Sequence, residues 1–268
     1  MKTSPCLPLP PCHATNRSYK LWWIGLLVLV FLLSSCSSAA RSDSSSTVDT
    51  ELEEQVLQIV RDNPEVILES VETYRANQQQ QTRQARQAFL QKLIDNPAST
   101  IEASPTKGAA EQNIVLIEFS DFQCPYCARA HTTIDEFMAK YGDVVTLTYK
   151  HLPLTSIHPE ALPAAKAAWA AGEQGKFWEY RSALFERQNE LGDALYVAIA
   201  EELDLDTQKF NSDRQSSTAE TAISKDLELA EQLGLTGTPV FFLNEETLTG
   251  AVELAQLEAA LERVRGEG

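Results

Sequence analysis

The chain has 268 residues and a formal net charge of −16, from 22 Lys and Arg against 38 Asp and Glu. That length holds one large domain or two small ones and can bury a real core. No basic stripe offsets the acidity, which argues against nucleic acid as a partner and fits a soluble surface.

Lys2, Arg17 and Lys20 are the only charges before Leu21 to Leu33, a run of thirteen residues with none. A membrane-spanning helix needs about 20 such residues. The run suits instead the apolar core of a secretory signal. Leu33-Ser34-Ser35-Cys36 follows directly and resembles the lipobox of bacterial lipoproteins, in which the cysteine is lipidated and becomes the new N-terminus. Residues 1–36 are therefore expected to be signal and lipobox, with Cys36 the lipidation site. Cleavage near Ala39-Ala40 and an uncleaved anchor remain open, and all three readings export the protein. The long leader with Pro5, Pro8, Pro10 and Pro11 also leaves an over-long gene start open. Removing the leader removes Cys6 and Cys12, and lipidation blocks Cys36. Only Cys124 and Cys127 then stay free. One close pair in an oxidising compartment is the pattern of a redox site rather than of a disulfide-stapled scaffold.

Residues 37–50 are rich in Ser and read as a flexible tether. Residues 51–97 read as an N-terminal helical region. Thr50 to Glu53 has the capping-box pattern, and Leu52, Val56, Ile59 and Val60 share a helical face. Asn63-Pro64 restarts a helix, with Asn as cap and Pro in the first turn. Val66, Ile67, Val71 and Tyr74 continue the face, which disappears from Arg75 to Gln87. A helix that polar crosses solvent or leans on a partner. Phe89, Leu90, Leu93 and Ile94 close it before Pro97. Residues 98–113 read as a linker carrying Pro105 and Gly108.

Ile114 to Phe119 reads as a buried strand, and Cys124-Pro125-Tyr126-Cys127 opens a helix reaching about Lys140. Residues 144–150 alternate like a second strand. Residues 159–234 read as four helices, centred on Ala164–Ala170, Phe177–Phe185, Val197–Leu203 and Ile223–Ala230. Val240–Leu243 and Thr247–Gly250 read as a hairpin, and Glu253–Arg265 as a closing helix. The order is β-α-β, helical insertion, β-β-α, with no internal repeat.

The C-x-x-C motif at a strand-to-helix turn suits disulfide exchange. That chemistry needs a thiolate that attacks one sulfur and a second thiol that resolves the mixed disulfide. At a helix N-terminus the unpaired amides and the dipole favour a negative Cys124, assigned as nucleophile. Pro125 fits the first turn because it has no N–H to lose. Cys127, one turn on, is the resolving thiol. Tyr126 tunes the pair and, being neutral, supplies no charge, which predicts a milder oxidant than a His at that place would give. The alternative is half a zinc site. His131 is the one nearby residue able to join it, and a second ligand pair is missing.

Glu118 lies six residues before Cys124 in an otherwise apolar strand. A buried carboxylate there can exchange protons with a thiol at neutral pH. The alternative is a carboxylate that is paired or faces solvent. His131, His151 and His158 are expected to be structural or exposed, and Trp169, Phe177 and Trp178 to be core of the insertion.

Five stretches carry a family resemblance. They are Glu118 to Cys127, Tyr149 to Leu154, Glu173 to Tyr180, Leu184-Phe185 and Gly237 to Phe242. Over residues 105–268 the chain resembles the DsbA-like thiol-disulfide oxidoreductases, and residues 51–96, especially 61–69, resemble the N-terminal helical region of their ScsC-type and Com1-type members. The resemblance implies an α/β, thioredoxin-like fold with an inserted helical subdomain, at about 159–234, preceded by N-terminal helices. It implies exchange of disulfides with unfolded or cysteine-containing exported proteins, an unidentified membrane redox partner, and no cofactor and no metal. Thr238-Pro239, with Gly237, matches the family's cis-proline loop, which faces the C-x-x-C motif and offers backbone groups to an extended substrate. An ordinary trans turn is the other reading of that proline. Glu118 matches a position where a buried acid moves protons for the resolving cysteine. The insertion lacks the further cysteines of many relatives, so no second disulfide is expected.

The expected protein is an exported, extracytoplasmic or periplasmic, membrane-anchored oxidase of protein thiols. An oligomeric isomerase or reductase assembled through residues 51–97 is the alternative. A tethered chaperone or metal-binding protein is a third.

Overall fold

A computed structural model describes residues 50–266 of the chain. The expected signal, the lipobox with Cys36 and the Ser-rich tether up to residue 49 lie outside the described residues. The described residues fall into two units, which part between Ile67 and Leu68.

In the first unit, helix α1 runs Thr50–Asp62 and helix α2 starts at Pro64. The Asn63 side-chain amide donates to the Ile59 carbonyl at 2.8 Å, closing the end of α1. Leu52, Val56, Leu57, Ile59 and Val60 are 42–62% exposed, so the predicted apolar face is solvent-facing.

In the second unit α2 continues to Asp95. Its polar stretch is exposed up to Gln81, but Thr82, Ala85 and Arg86 are half-buried and Phe89 and Leu93 are buried. The end of α2 therefore leans on its own domain.

The supposed linker is partly structured. Ala98–Ile101 forms one helical turn, α3, and Thr106–Gly108 forms strand β1. Strand β2 is Ile114–Ser120, helix α4 is Pro125–Tyr141 and strand β3 is Val145–His151. The insertion holds α5 (Ala161–Gly172), α6 (Phe177–Glu186), a 3-10 turn (Gln188–Glu190), α7 (Asp193–Glu202), α8 (Thr207–Arg214) and α9 (Ser217–Gln232). Strands β4 (Val240–Leu243) and β5 (Glu246–Thr249) and helix α10 (Leu254–Arg265) complete the chain.

The sheet has five strands in the order β1-β3-β2-β4-β5. Strands β2 and β3 are parallel, from Ile114 opposite Val145 to Ser120 opposite His151, and the other pairs are antiparallel. Four of these strands were read from the sequence. The fifth, β1, is three residues long with no apolar alternation. Gly108 suits it, with φ +99° and a backbone so close to Val145 that a Cβ would stand 2.3 Å from that residue's carbonyl oxygen.

One face of the sheet, through Leu116, Leu147 and Phe241, packs with Ile134 and Phe137 of α4 and Leu257 and Leu261 of α10. The other, through Val115, Ile117 and Phe242, packs with Phe89 and Leu93 of α2 and Ala230 of α9. The alanines of α5 let Tyr180, Leu184, Tyr196 and Phe210 close around it in a third core, which also holds both cysteines. Helix α8 was missing from the sequence reading because Phe210 is its only buried residue. Its start is fixed instead by Asp206, whose side chain accepts from the Lys209 amide.

Candidate active site

Strand β2 ends at Ser120, and the next four residues turn the chain into α4. Asp121, 1% exposed, organises this turn. One of its oxygens accepts from the Gln123 amide at 2.8 Å. The other accepts from the Leu154 amide at 3.0 Å and sits 2.7 Å from His158 Nδ1. The loops after β2 and β3 are thereby tied together. Gln123 Oε1 accepts from the Glu160 amide at 2.7 Å. From the insertion, Gln188 Nε2 donates to the carbonyls of Phe122 and Cys124 at 2.7 and 3.0 Å. The sequence offered no signal for Gln188, and Asp121 stood there only as a letter inside a motif.

Cys124 is the N-cap of α4 and Pro125 its first residue. Both cysteines are free thiols, and both are buried. The Cys124 pKa is lowered from 9.0 to about 5. The hydrogen bond from the Cys127 thiol is the largest cause, with Thr238 and the backbone at Cys127 and Tyr126 adding to it against the opposing effect of burial. Cys127 is pushed well above 9, chiefly by burial and then by its interaction with Cys124. One sulfur is thus held as a thiolate and its neighbour as a thiol. Tyr126 contributes through its backbone, while its exposed ring carries the Arg129 guanidinium 4.5 Å from its centroid.

Beneath the cysteines lies a buried polar cluster. Glu118 is fully buried, and its Oε2 accepts from Arg181 Nη2 at 2.7 Å. The sequence reading treated Glu118 as a lone buried carboxylate and left pairing as the alternative; a fully buried arginine from α6 is its partner. Glu118 Oε1, Ser120 Oγ and Tyr149 Oη are buried with no hydrogen-bond partner among the described residues. Ser120 adjoins both the Cys127 thiol and the Tyr149 hydroxyl. Tyr149, opposite Glu118 in the sheet, has its pKa raised by burial and then by Glu118.

His131 belongs to this cluster rather than to the cysteines. Its Nδ1 accepts from Arg181 Nη1 at 2.6 Å, and burial followed by the Arg181 charge lowers its pKa to about 4. His151 is buried and lowered to about 3, mainly by desolvation. Among the described residues, no group of three or more His, Cys, Asp or Glu side chains could hold a metal ion. Phe177 is core, as expected, whereas Trp169 and Trp178 are half-buried, with Trp178 Nε1 donating to the Thr106 carbonyl of β1.

Across from α4, the Thr238–Pro239 bond is cis, and the Thr238 carbonyl oxygen is 3.5 Å from Cys124 Sγ. Gly237, Thr238 and Pro239 line a cleft of about 340 Å³, together with Arg86 of α2 and Thr247 and Thr249 of β5. The geometry brings Cys124, Pro125, Cys127, Thr238 and Pro239 to one place, with Glu118 in the layer below.

The profile of the family described as Thioredoxin matches residues 100–263. A thioredoxin-like oxidoreductase from Silicibacter pomeroyi DSS-3 is similar in structure, with 30% identity and a TM-score of 0.59 over 65% of this chain and 99% of that one. The thiol-disulfide exchange protein alpha-DsbA2 of Wolbachia pipientis shares the fold at 20% identity and TM-score 0.59, over 67% of this chain and 97% of its own. The Na(+)/H(+) antiporter NhaA 3 of Salinispora tropica is 37% identical over 168 residues, which are 60% of this chain and 26% of that protein. The chain thus spans about a quarter of the length of the curated relatives it matches. No helix among the described residues is long and apolar enough to cross a membrane.

Proposed function

Since the chain belongs to the thioredoxin family, with a DsbA-like helical insertion between β3 and β4, we propose that it is an exported thiol-disulfide oxidoreductase that oxidises cysteine-containing proteins. The observation that carries this reading is the opposed pair of thiols, Cys124 at about 5 and Cys127 well above 9. A substrate thiolate attacks Cys124 Sγ of the Cys124–Cys127 disulfide. A mixed disulfide forms, and Cys127 leaves with the electron pair and takes a proton. The second substrate thiolate then attacks its own disulfide-bonded sulfur, and Cys124 leaves as a stable thiolate. The substrate gains a disulfide and gives up two electrons, which an unidentified membrane redox partner removes. Because the reduced form is favoured by the Cys124 thiolate, the protein is an oxidant.

Glu118 is the buried acid able to supply the proton for Cys127, and Ser120 and Tyr149 are the hydroxyls able to carry it. The backbone groups of Thr236, Gly237 and Thr238 would hold the substrate as an added strand. The leader sequence supports export, with a lipid on Cys36 as the anchor. Equilibration with glutathione buffers tests the direction of exchange. A potential of about −120 to −180 mV supports an oxidant, and one near −270 mV reverses the direction to reductase.

A second reading has its own support. Leu52, Val56, Ile59 and Val60 on α1, and Ile67, Leu68, Val71 and Tyr74 on α2, are 40–64% exposed. Such apolar surface suits assembly through residues 51–97, and facing active sites suit disulfide isomerisation. Light scattering separates the two, since a monomer leaves only the oxidase.

A further inference from the structure

We propose that Arg86 is a positioning residue for the substrate-binding loop, so that α2 is a strut for recognition of extended protein substrates; this rests on the thiol-disulfide reading. The strut begins where α9 ends. A helix C-terminus leaves carbonyls without intrahelical donors. Here Gly234, at φ +61°, turns the chain out of the helix, and the Leu235 amide returns to the Ala230 carbonyl at 2.8 Å. The next free carbonyls, of Leu233 and Gly234, accept from Arg86 Nε at 2.6 Å and Nη2 at 3.3 Å. A guanidinium fork holding two successive carbonyls fixes direction as well as position, which a lysine cannot do.

Thr82 lies one turn before Arg86 on the same face of α2. A Cβ on Gly234 would meet Thr82 Cγ2 at 2.7 Å, so helix and turn are in direct contact. Phe89 and Leu93 continue that face into the core, with the Phe89 ring 5.1 Å from that of Phe242 on β4. The strut is therefore anchored to the strand that the loop enters.

Only a short run separates this clamp from the chemistry. Four residues after Gly234 comes Thr238, whose carbonyl oxygen is 3.5 Å from Cys124 Sγ. Among the described residues, the amides of Thr236, Gly237 and Thr238 make no backbone hydrogen bond. Between the clamp and β4 the loop is thus held by its ends, and Arg86 sets the upstream end. Residues 234–240 and Arg86 border the same cleft of about 340 Å³. Releasing Arg86 should disturb how an extended chain is held while leaving Cys124 at the head of α4.

The test compares the full chain with its Arg86→Ala and Arg86→Lys variants on two substrates. Glutathione needs only the sulfur of Cys124, whereas an extended dithiol peptide also needs the loop. Arg86→Ala is expected to raise KM for the peptide by about tenfold, the loss of one charge-assisted hydrogen bond, with kcat and the glutathione rate changed by less than about twofold. Arg86→Lys should recover part of the KM, since the charge remains and the fork does not. Unchanged KM in Arg86→Ala overturns the proposal, as does an equal loss on both substrates, which would mark Arg86 as merely structural. If the unaltered chain exchanges with neither substrate, the thiol-disulfide reading itself fails and this proposal with it, an outcome distinct from a competent parent with an indifferent variant.

Discussion

The Cys124 thiolate should stabilise the reduced protein by an amount that depends on pH, set against the constraint that the disulfide places on the unfolded oxidised chain. The folded pKa of about 5 lies below the ordinary 9.0. The stabilisation is therefore complete above pH 9 and declines as pH falls, vanishing below the folded value. At pH 7 the linkage relation gives an upper value of about 2.7 kcal/mol, and about 1–2 kcal/mol once solvent screening beside the sulfur is allowed for. Cys127 adds nothing between pH 4 and 8, because its raised pKa keeps it protonated there in both folded and unfolded chains. Other titrating groups act in both redox forms and cancel in the difference. Urea unfolding of the two forms from pH 4 to 8 measures that difference, and thiolate absorbance near 240 nm follows Cys124 directly. The stability of the reduced form relative to the oxidised form should rise by about 1–2 kcal/mol from pH 4 to pH 7, on top of a pH-independent contribution from the disulfide itself. A flat difference across this range, or thiolate absorbance that appears only near pH 9, would refute the reasoning.

The Glu118–Arg181 pair should couple strongly. Arg181→Met strands a fully buried carboxylate and should cost about 3–5 kcal/mol, whereas adding Glu118→Gln should recover much of that, which a double-mutant cycle of unfolding reads directly. Glu118→Gln alone should slow exchange at neutral pH, and unchanged stopped-flow rates would remove Glu118 from the proton path. His131 and His151, lowered to about 4 and 3, stay neutral when folded while the unfolded chain binds protons below pH 6.5. Both redox forms should then lose stability as pH falls from 6.5, and His151→Gln should shallow that loss in a melting series. Gln188→Ala releases two carbonyls of the active-site turn and should lower stability by about 1–2 kcal/mol, checked by urea unfolding.

What was legible in the sequence was local. The apolar run before Cys124, the spacing of the two cysteines and the 240–250 hairpin each declare themselves within ten residues, and each stands where the pattern put it. What was hidden depends on distance in the chain or on weak patterning. Strand β1 is three residues without an apolar side chain, recruited by β3, and α8 rests on one phenylalanine and a cap. Glu118 read as a carboxylate in an apolar strand, but its partner Arg181 is 63 residues away. No periodicity marks Arg181, because a buried arginine in α6 looks like any solvent-facing one until the sheet is folded beneath it. Gln188, Asp121 and Arg86 are hidden for the same reason: each acts on backbone groups, and backbone has no sequence signature.

Much of the tuning of Cys124 likewise lies outside its motif. The sequence argument looked between the cysteines for charge and found a neutral tyrosine. In the structure the thiolate is favoured chiefly by donors, first the Cys127 thiol and then Thr238 and the amides of the first turn. The first-turn donors are aimed by the turn that Asp121 and Gln188 hold, while the Thr238 carbonyl of the loop opposite stands 3.5 Å from Cys124 Sγ as an acceptor. A neutral residue at Tyr126 is then no bar to a strongly stabilised thiolate. The same pair can be shifted from outside the motif, by whatever moves the turn that Asp121 and Gln188 hold. The reduction potential of this protein should accordingly respond less to the chemistry of the Tyr126 ring than to the geometry of that turn.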